Sequence, residues 1–328
     1  MNKELNKWMI YVQPNRDELL TSWLVRNSRA QLTKVHTFCS SNWPALEVWN
    51  RDVDRFPNPL MLSMLAYYTD TKFKVVYETT LKSYTGKLFE SDAVTHSNYI
   101  LPTGIWHRKR KLKGLLFCPK CLASDGEQPY YRKVWRLSMS FVCSKCKVEL
   151  LDSCPKCHSP IAFFRNDFIS KSDIPRSNLN NCSSCGFNLT MAKSNIAKKN
   201  EVEAQLLLEQ YLVVGRLKDN PPKFYDVVLH LIWTLTSRNK RLTRFQIRVN
   251  NTNPIFKKYR KKMPKKKLNL FSLYNFKERK ILFNISIWLL ADFPYRLLKL
   301  MLETNTTSKA ILGEDKKLPF WFKNGVKL

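Results

Sequence analysis

The chain has 328 residues, 44% of them hydrophobic, and carries 56 Lys and Arg against 26 Asp and Glu, a net charge of +30. That apolar share supports real cores and excludes global disorder, and the length allows two or three domains. So large a positive surplus points to a polyanionic partner, nucleic acid before anionic membrane, with a merely solubilising surface as the plainer reading.

The N-terminus, MNKELNKWMIYVQP, lacks the apolar centre of a signal peptide. No run reaches the length of a membrane span; the best, Ile281 to Leu290, is broken by Asn284 and Ser286 and reads as an amphipathic helix. A cytoplasmic protein is expected, in a compartment where regularly spaced cysteines bind metal rather than pair as disulfides.

Residues 1–105 are dominated by helix signals, with room for a short strand at Lys7–Val12. Pro14-Asn15-Arg16-Asp17-Glu18 opens a helix with Leu19, Leu20, Trp23 and Leu24 on one face. A second starts near Pro59, with Leu60, Met61, Met64, Leu65 and Tyr68 as its apolar positions. After the break Thr69-Asp70-Thr71, a third candidate runs through Val75, Val76 and Thr79 to Tyr84, which gives a helix-turn-helix-like outline. Packed core is the commoner meaning of such a pair.

A basic connector, residues 106–117, holds Arg108, Lys109, Arg110, Lys111 and Lys113; it is either a solvated linker or a phosphate-binding edge. Next come four CxxC pairs, Cys118/Cys121, Cys143/Cys146, Cys154/Cys157 and Cys182/Cys185, separated by 21, 7 and 24 residues. Two thiolates spaced by two residues can reach one tetrahedral metal, and two such pairs complete a closed four-cysteine site. The spacing predicts two structural zinc ions, although the short separation of Cys143/Cys146 from Cys154/Cys157 leaves open whether pairs interleave. Between the first two pairs lies Tyr130-Tyr131-Arg132-Lys133-Val134-Trp135-Arg136, read as cover for a small metal site before base-stacking surface. Cys39 stands alone as a small buried hydrophobe.

Residues 200–250 read as two helices, one with Leu207, Leu208, Tyr211 and Leu212, the other with Val228, Leu231, Ile232 and Leu235, broken at Asn220-Pro221-Pro222. The second is followed by Arg238, Lys240, Arg241, Arg244 and Arg248. Residues 257–267, KKYRKKMPKKK, hold eight positive charges and no acid, a block that orders on an anionic partner; nuclear localisation is the competing reading. A last helical region spans Lys277 to Glu303, interrupted near Pro294, with Ile281, Leu282, Ile285, Trp288 and Leu289 inward. The tail Leu318-Pro319-Phe320-Trp321-Phe322 is apolar enough to dock or to serve as an anchor. The candidate nucleic-acid contacts are Arg108, Lys109, Arg110, Lys111, Arg241, Arg244, Lys257, Lys258, Arg260, Lys261, Lys262, Lys265, Lys266 and Lys267.

The expected fold is mainly α with small zinc-ribbon elements. It divides into an N-terminal helical region (1–105), a tandem four-cysteine zinc module (106–195) and a basic C-terminal helical domain (196–328). No catalytic residue is assigned. Walker A, GxSxG and HExxH patterns are absent, His36, His96, His107 and His230 stand alone, and only His158 could compete with the cysteines for metal. A thioredoxin-like role for four tandem pairs without a βαβ pattern is disfavoured. Asp52 and Asp54 form the tightest acidic pair, but Arg51 and Arg55 flank them, so salt bridges are expected rather than a two-metal site.

Three stretches resemble the TniQ/TnsD family: PNRDELLTSWLVR (Pro14–Arg26), VWNRDVDR (Val48–Arg55), and CPKCLASD…PYYRKVWRLS…CSKCKVELLDSCPKC (Cys118–Cys157). The C-terminal third is only loosely similar, in its helical character and LPFW ending. Cys146 stands where the family commonly has His, and zinc accepts either. The resemblance implies a non-enzymatic bacterial adaptor, nucleoid-associated when active. It would link a Cascade complex with its guide RNA, or target DNA, to a TnsC-like AAA+ regulator and the transposase, commonly as a homodimer. The chain is short for a TnsD-type reader of a chromosomal attachment site, which is the alternative; a zinc- or carboxylate-dependent nuclease is the remote one.

Overall fold

The structure, a computed structural model, describes residues 6–89, 98–106, 109–168, 179–214, 223–252, 268–313 and 318–327. It is mainly helical, and the described strands form two short antiparallel pairs. Two compact units result, one of residues 1–95 and 100–206, the other of residues 96–99 and 207–328.

In the first unit the opening helix α1 (Leu20–Ala30) begins later than its acidic run suggests. Asn15 and Glu18 close a turn instead: the Glu18 amide donates to the Asn15 carbonyl at 3.1 Å and the Glu18 carboxylate accepts from the Asn15 amide at 2.9 Å. Asp17 sits in the left-handed region at φ 59°. Every residue of α1 from Leu20 to Ser28 is buried, so its polar side chains need internal partners. Thr21 finds Asp54, Ser22 finds Glu18, and Asn27 takes the Trp23 carbonyl and the Val12 amide. Lys7–Val12 is irregular rather than a strand; it is tied by Trp8, whose amide donates to Tyr68 and whose ring stacks on the Tyr68 ring at 5.1 Å.

Helix α2 (Val35–Asn42) packs on α1. Helix α3 (Pro59–Tyr68) starts as its sequence dictates, with Asn58 capping the Met61 amide and Pro59 in the first turn. It buries Met61, Leu62, Leu65 and Tyr68 and leaves Leu60 two-thirds exposed, because a 100° step per residue puts positions 60, 64 and 67 on the opposite face. Helix α4 (Phe73–Glu78) packs on α3 but has six residues, and the chain tightens into a 3-10 turn at Leu81–Tyr84. The connector carries strands β1 (Ile105–Trp106) and β2 (Lys109–Arg110), then brings Gly114 against the Pro102 carbonyl. Helix α5 (Pro119–Ser124) and strands β3 (Val142–Cys143) and β4 (Val148–Glu149) belong to the cysteine module.

Helix α6 (Lys199–Val214) buries Leu208, Tyr211 and Leu212 while Leu207 is half-exposed. In the second unit, α7 (Phe224–Thr236) buries Val228, Leu231, Ile232 and Leu235, and packs on α9 (Phe276–Leu290). A full capping box of Asn275 and Glu278 starts α9. Between them lies α8 (Thr243–Thr252), against α10 (Tyr295–Glu303). The apolar tail folds back into this unit. Phe322, on α12 (Phe320–Gly325), is fully buried and stacks on Phe293 with centroids 5.6 Å apart, and α11 (Ser308–Leu312) supplies the Ile311 carbonyl bonded to His230. Trp288, expected inward, is half-buried under the Arg296 guanidinium. No single described helix is long and apolar enough to cross a membrane; α9 and α10 together would be, but they are bent by 100° at their break.

Candidate metal centres

The eight paired cysteines gather into two clusters in sequential order, Cys118, Cys121, Cys143 and Cys146 in one, Cys154, Cys157, Cys182 and Cys185 in the other, so the pairs do not interleave. Within each cluster the sulfurs all lie within 4.8 Å of one another. Cys121 Sγ is 3.4 Å from Cys143 Sγ and 3.5 Å from Cys146 Sγ; Cys154–Cys185 and Cys157–Cys182 are 3.7 and 3.6 Å apart. A tetrahedron with zinc–sulfur bonds of about 2.3 Å has edges of about 3.8 Å, so both donor sets fit a closed zinc site with four thiolate ligands.

Local backbone geometry explains how three of the four pairs aim their thiols. The residue after the second cysteine (Lys147, His158 or Gly186) donates its amide to the carbonyl of the first cysteine at 2.8 to 2.9 Å, and takes a positive φ of 53°, 59° or 70°. The turn closes with both sulfurs on its inner side. The Cys118 pair differs: Pro119 starts α5, and Cys118 is its cap, accepting the Cys121 amide at 3.5 Å. His158 therefore serves as the turn-closing residue, its side chain exposed. Left to themselves, the four sulfurs of the first cluster cannot all ionise. The contact with Cys118 pushes Cys121 up, whereas hydrogen bonds from Cys118 and Cys121 pull Cys143 down. A divalent cation would release that conflict.

The first cluster is built into a core that joins all three sequence stretches singled out above. The Leu19 amide donates to Tyr131 and the Lys133 amide to Asp17, at 2.8 and 2.7 Å, zipping the Pro14–Arg26 stretch to the aromatic segment. The aromatic segment is core: Tyr131 is fully buried, stacks on Phe163 at 4.4 Å, and donates its hydroxyl to the Leu179 carbonyl. Arg132 pairs in bidentate fashion with Asp125 at 2.6 and 2.7 Å. Arg136, with no exposure, makes two bonds to Asp52, one to Asp54 and one to the Leu101 carbonyl.

Arg136 is thus a hydrogen-bonded partner of both acids, and the flanking Arg55 acts on Asp52 through its charge. The only sequence signal of Arg136 is its place as one of three cations set among the aromatic residues of that stretch. Burial alone would raise Asp52, but Arg136 outweighs it and holds that carboxyl below its ordinary range. For Asp54, bonded to Arg136 once at 3.2 Å, burial wins and the value is raised against the pull of Arg136. Glu18, paired with Arg26 at 2.7 Å, is likewise raised, chiefly by burial. Nothing in this arrangement leaves the acids open to a metal.

The basic row of the connector is divided by the structure. Lys109 and Lys111 are exposed, but Arg110 is buried, lies over the Phe164 and Phe163 rings at 5.2 and 5.8 Å, and donates to the Ile161 carbonyl at 3.2 Å. Burial, with Arg136 nearby, lowers it to about 10. Arg110 is therefore withdrawn from the set of surface contacts. Arg241 and Arg244 are exposed. Arg108 and residues 257–267 lie outside the described residues.

These features define a mainly helical protein with a tandem cysteine-cluster module set into its core. Residues 9–150, under half of the chain, match the TniQ family model, so the chain carries a TniQ domain over that span, and such a domain points to transposition target selection. The match takes in the first cysteine cluster and ends before the second. No curated protein matches the chain.

Proposed function

We propose that the protein is a non-enzymatic target-selection adaptor. It binds a target complex, Cascade with its guide RNA, on one side and a TnsC-like AAA+ regulator, and through it the transposase, on the other, acting as a homodimer. The observation that supports this best is the joining of the three family-like stretches into one buried network. That network spends the tightest acidic pair on Arg136 and the cysteines on closed clusters.

In this reading Cys118, Cys121, Cys143 and Cys146 hold one zinc and Cys154, Cys157, Cys182 and Cys185 another. Both ions are structural: with four sulfurs each they leave no open position for a substrate. Sequence reading is left to base pairing in the partner complex, and the basic surface contributes phosphate contacts.

The experiment is co-purification of the tagged protein with Cascade and with the AAA+ regulator, alongside footprinting of the protein alone. Retention of both partners and only salt-sensitive, sequence-indifferent DNA binding is expected. A footprint on one sequence that persists at physiological salt, with no Cascade retained, would establish direct attachment-site reading instead. Metal-dependent DNA cleavage lost in Asp52→Ala would establish a nuclease.

A further inference from the structure

Helices α7 and α8 of the second unit are joined by a short turn, Ser237–Leu242, that is held rigidly. Gln246, on α8, donates its side-chain amide to the Thr234 carbonyl at 2.8 Å and the Ser237 carbonyl at 2.9 Å. Asn239 caps the Arg241 amide at 3.0 Å, and Ser237 accepts the Asn239 amide. On the inner side of α8, Phe245 and Val249 have no exposure. The pair is therefore a helix, a fixed turn and a second helix whose outer face is fully presented.

The turn and α8 themselves carry one kind of charge. Residues 237–252 contain Arg238, Lys240, Arg241, Arg244 and Arg248 and no Asp or Glu, and all five cations are exposed. Among the described residues, Arg248 pairs with Glu303 at 2.7 Å, in a solvent-facing ion pair. Arg244, Ile247, Arg248 and Asn251 occupy positions i, i+3, i+4 and i+7 and are all exposed, so one stripe along α8 combines two cations, an apolar side chain and an amide.

We infer that α8, presented by the turn from α7, seats in the major groove of duplex DNA, with Arg238, Lys240 and Arg241 on the phosphate backbone and the Arg244–Asn251 stripe lying along the groove, giving affinity for duplex DNA without selecting one sequence. The major groove of B-form DNA admits an α-helix, whereas that of A-form RNA is too deep and narrow for side chains to read. Neither the turn nor α8 carries an exposed aromatic residue, so the stacking platform that single strands require is missing from this face. An acidic protein is the weaker match, because the turn and α8 expose one large apolar residue, Ile247, among five cations, and the core of a protein interface is depleted of charge. The inference deepens the target-selection reading by naming where duplex DNA is held, and rests on that reading only for its biological setting.

The test replaces Arg238, Lys240, Arg241 and Arg244 by Gln in the full chain, leaving Lys257–Lys267 untouched. Binding to a fluorescent duplex of about three helical turns is followed by anisotropy across a salt series. Affinity at low salt should fall at least about tenfold, and the slope of log affinity against log salt should shrink by about 0.9 for each phosphate no longer neutralised. Zinc content and the unfolding midpoint should stay unchanged, which separates impaired binding from impaired folding. A control removes the same charge at Lys72, Lys74, Lys193 and Lys198, exposed lysines of the first unit. An equal drop in the control would reduce the effect to bulk charge and overturn the assignment, as would unaltered duplex binding. A larger drop on duplex RNA, single strands or polyglutamate than on duplex DNA would overturn it in favour of that partner. Cascade and regulator co-purification is a separate readout, so failure here leaves the adaptor reading standing, and the reverse.

Discussion

Arg136 and Asp52 share two hydrogen bonds, of 2.6 and 3.1 Å, across 84 residues of sequence. They join the aromatic segment beside the first cysteine cluster to the loop before α3, and the same guanidinium reaches Asp54 at 3.2 Å. Replacing Arg136 by Ala removes the guanidinium that Asp52 and the buried Asp54 share. Breaking a buried ion pair by removing one partner costs about 3–5 kcal/mol, and denaturant unfolding with zinc in excess should show a loss of that size. A loss under ~1 kcal/mol, the worth of an exposed pair, would mean that Arg136 does not tie these segments together.

Asp52 and Asp54 should answer pH oppositely although they share Arg136. Asp54 is raised in the folded state, so its protonation favours folding, and that stability is lost as pH rises through the folded value. Above the ordinary carboxylate value of 3.8, wild type should therefore gain on the Asp54→Asn variant as pH falls. Asp52 is lowered, so its contribution disappears only below its ordinary value of 3.8. The deficit of Asp52→Asn should stay flat over the same range. Unfolding curves of the three proteins at several pH values decide it, and parallel trends would contradict the assignment.

Sequential pairing of the clusters has a direct signature in metal content. Cys118→Ser/Cys121→Ser and Cys143→Ser/Cys146→Ser should each lose the same single zinc, and combining them should lose no more. Adding Cys154→Ser/Cys157→Ser to either should remove the second ion as well. Elemental analysis reads this out. Metal binding and folding are coupled in modules of this kind, so each loss should come with a lower unfolding temperature.

Gly114 approaches the Pro102 carbonyl so closely that a Cβ would lie 2.4 Å from its oxygen. The neighbour is backbone and cannot swing aside, so Gly114→Ala should cost about 1–3 kcal/mol or more. Gly126, whose added Cβ would meet open space but whose φ is 63°, provides the contrast: its Ala variant should suffer from backbone strain alone, about 1 kcal/mol. Thermal unfolding of both variants separates the two causes.

Neutralising the cations of Lys257–Lys267 should weaken nucleic-acid binding alike on all sequences and flatten its salt dependence. Unaltered affinity in a filter-binding titration would make that block a solvated linker.

Local geometry carries furthest from sequence to structure in this chain. A CxxC turn is a short, self-contained object, so its thiol placement follows from spacing, and the helical period suffices for α7 and α9. Which cysteine pair meets which is a question of chain path, and spacing does not answer it. Periodicity also blurs a face by one residue, which is how Leu60 is grouped with Met61 although they point apart. The start of α1 shifts because Asp17 and Glu18 are bound elsewhere, by Lys133, Arg26 and Ser22. Arg110 is hidden for the same reason as Arg136: the rings and carboxylates that bury them come from segments tens of residues away.

The Tyr131 hydroxyl has a practical meaning for where this polypeptide can be divided. Tyr131 lies inside residues 9–150, yet it donates to Leu179 and stacks on Phe163, both beyond that span. A fragment ending at residue 150 would leave a buried hydroxyl without its acceptor and bare an aromatic face to water. Limited proteolysis should accordingly find no stable product cut there, and the shortest soluble piece should extend past Leu189, where the chain returns to α5.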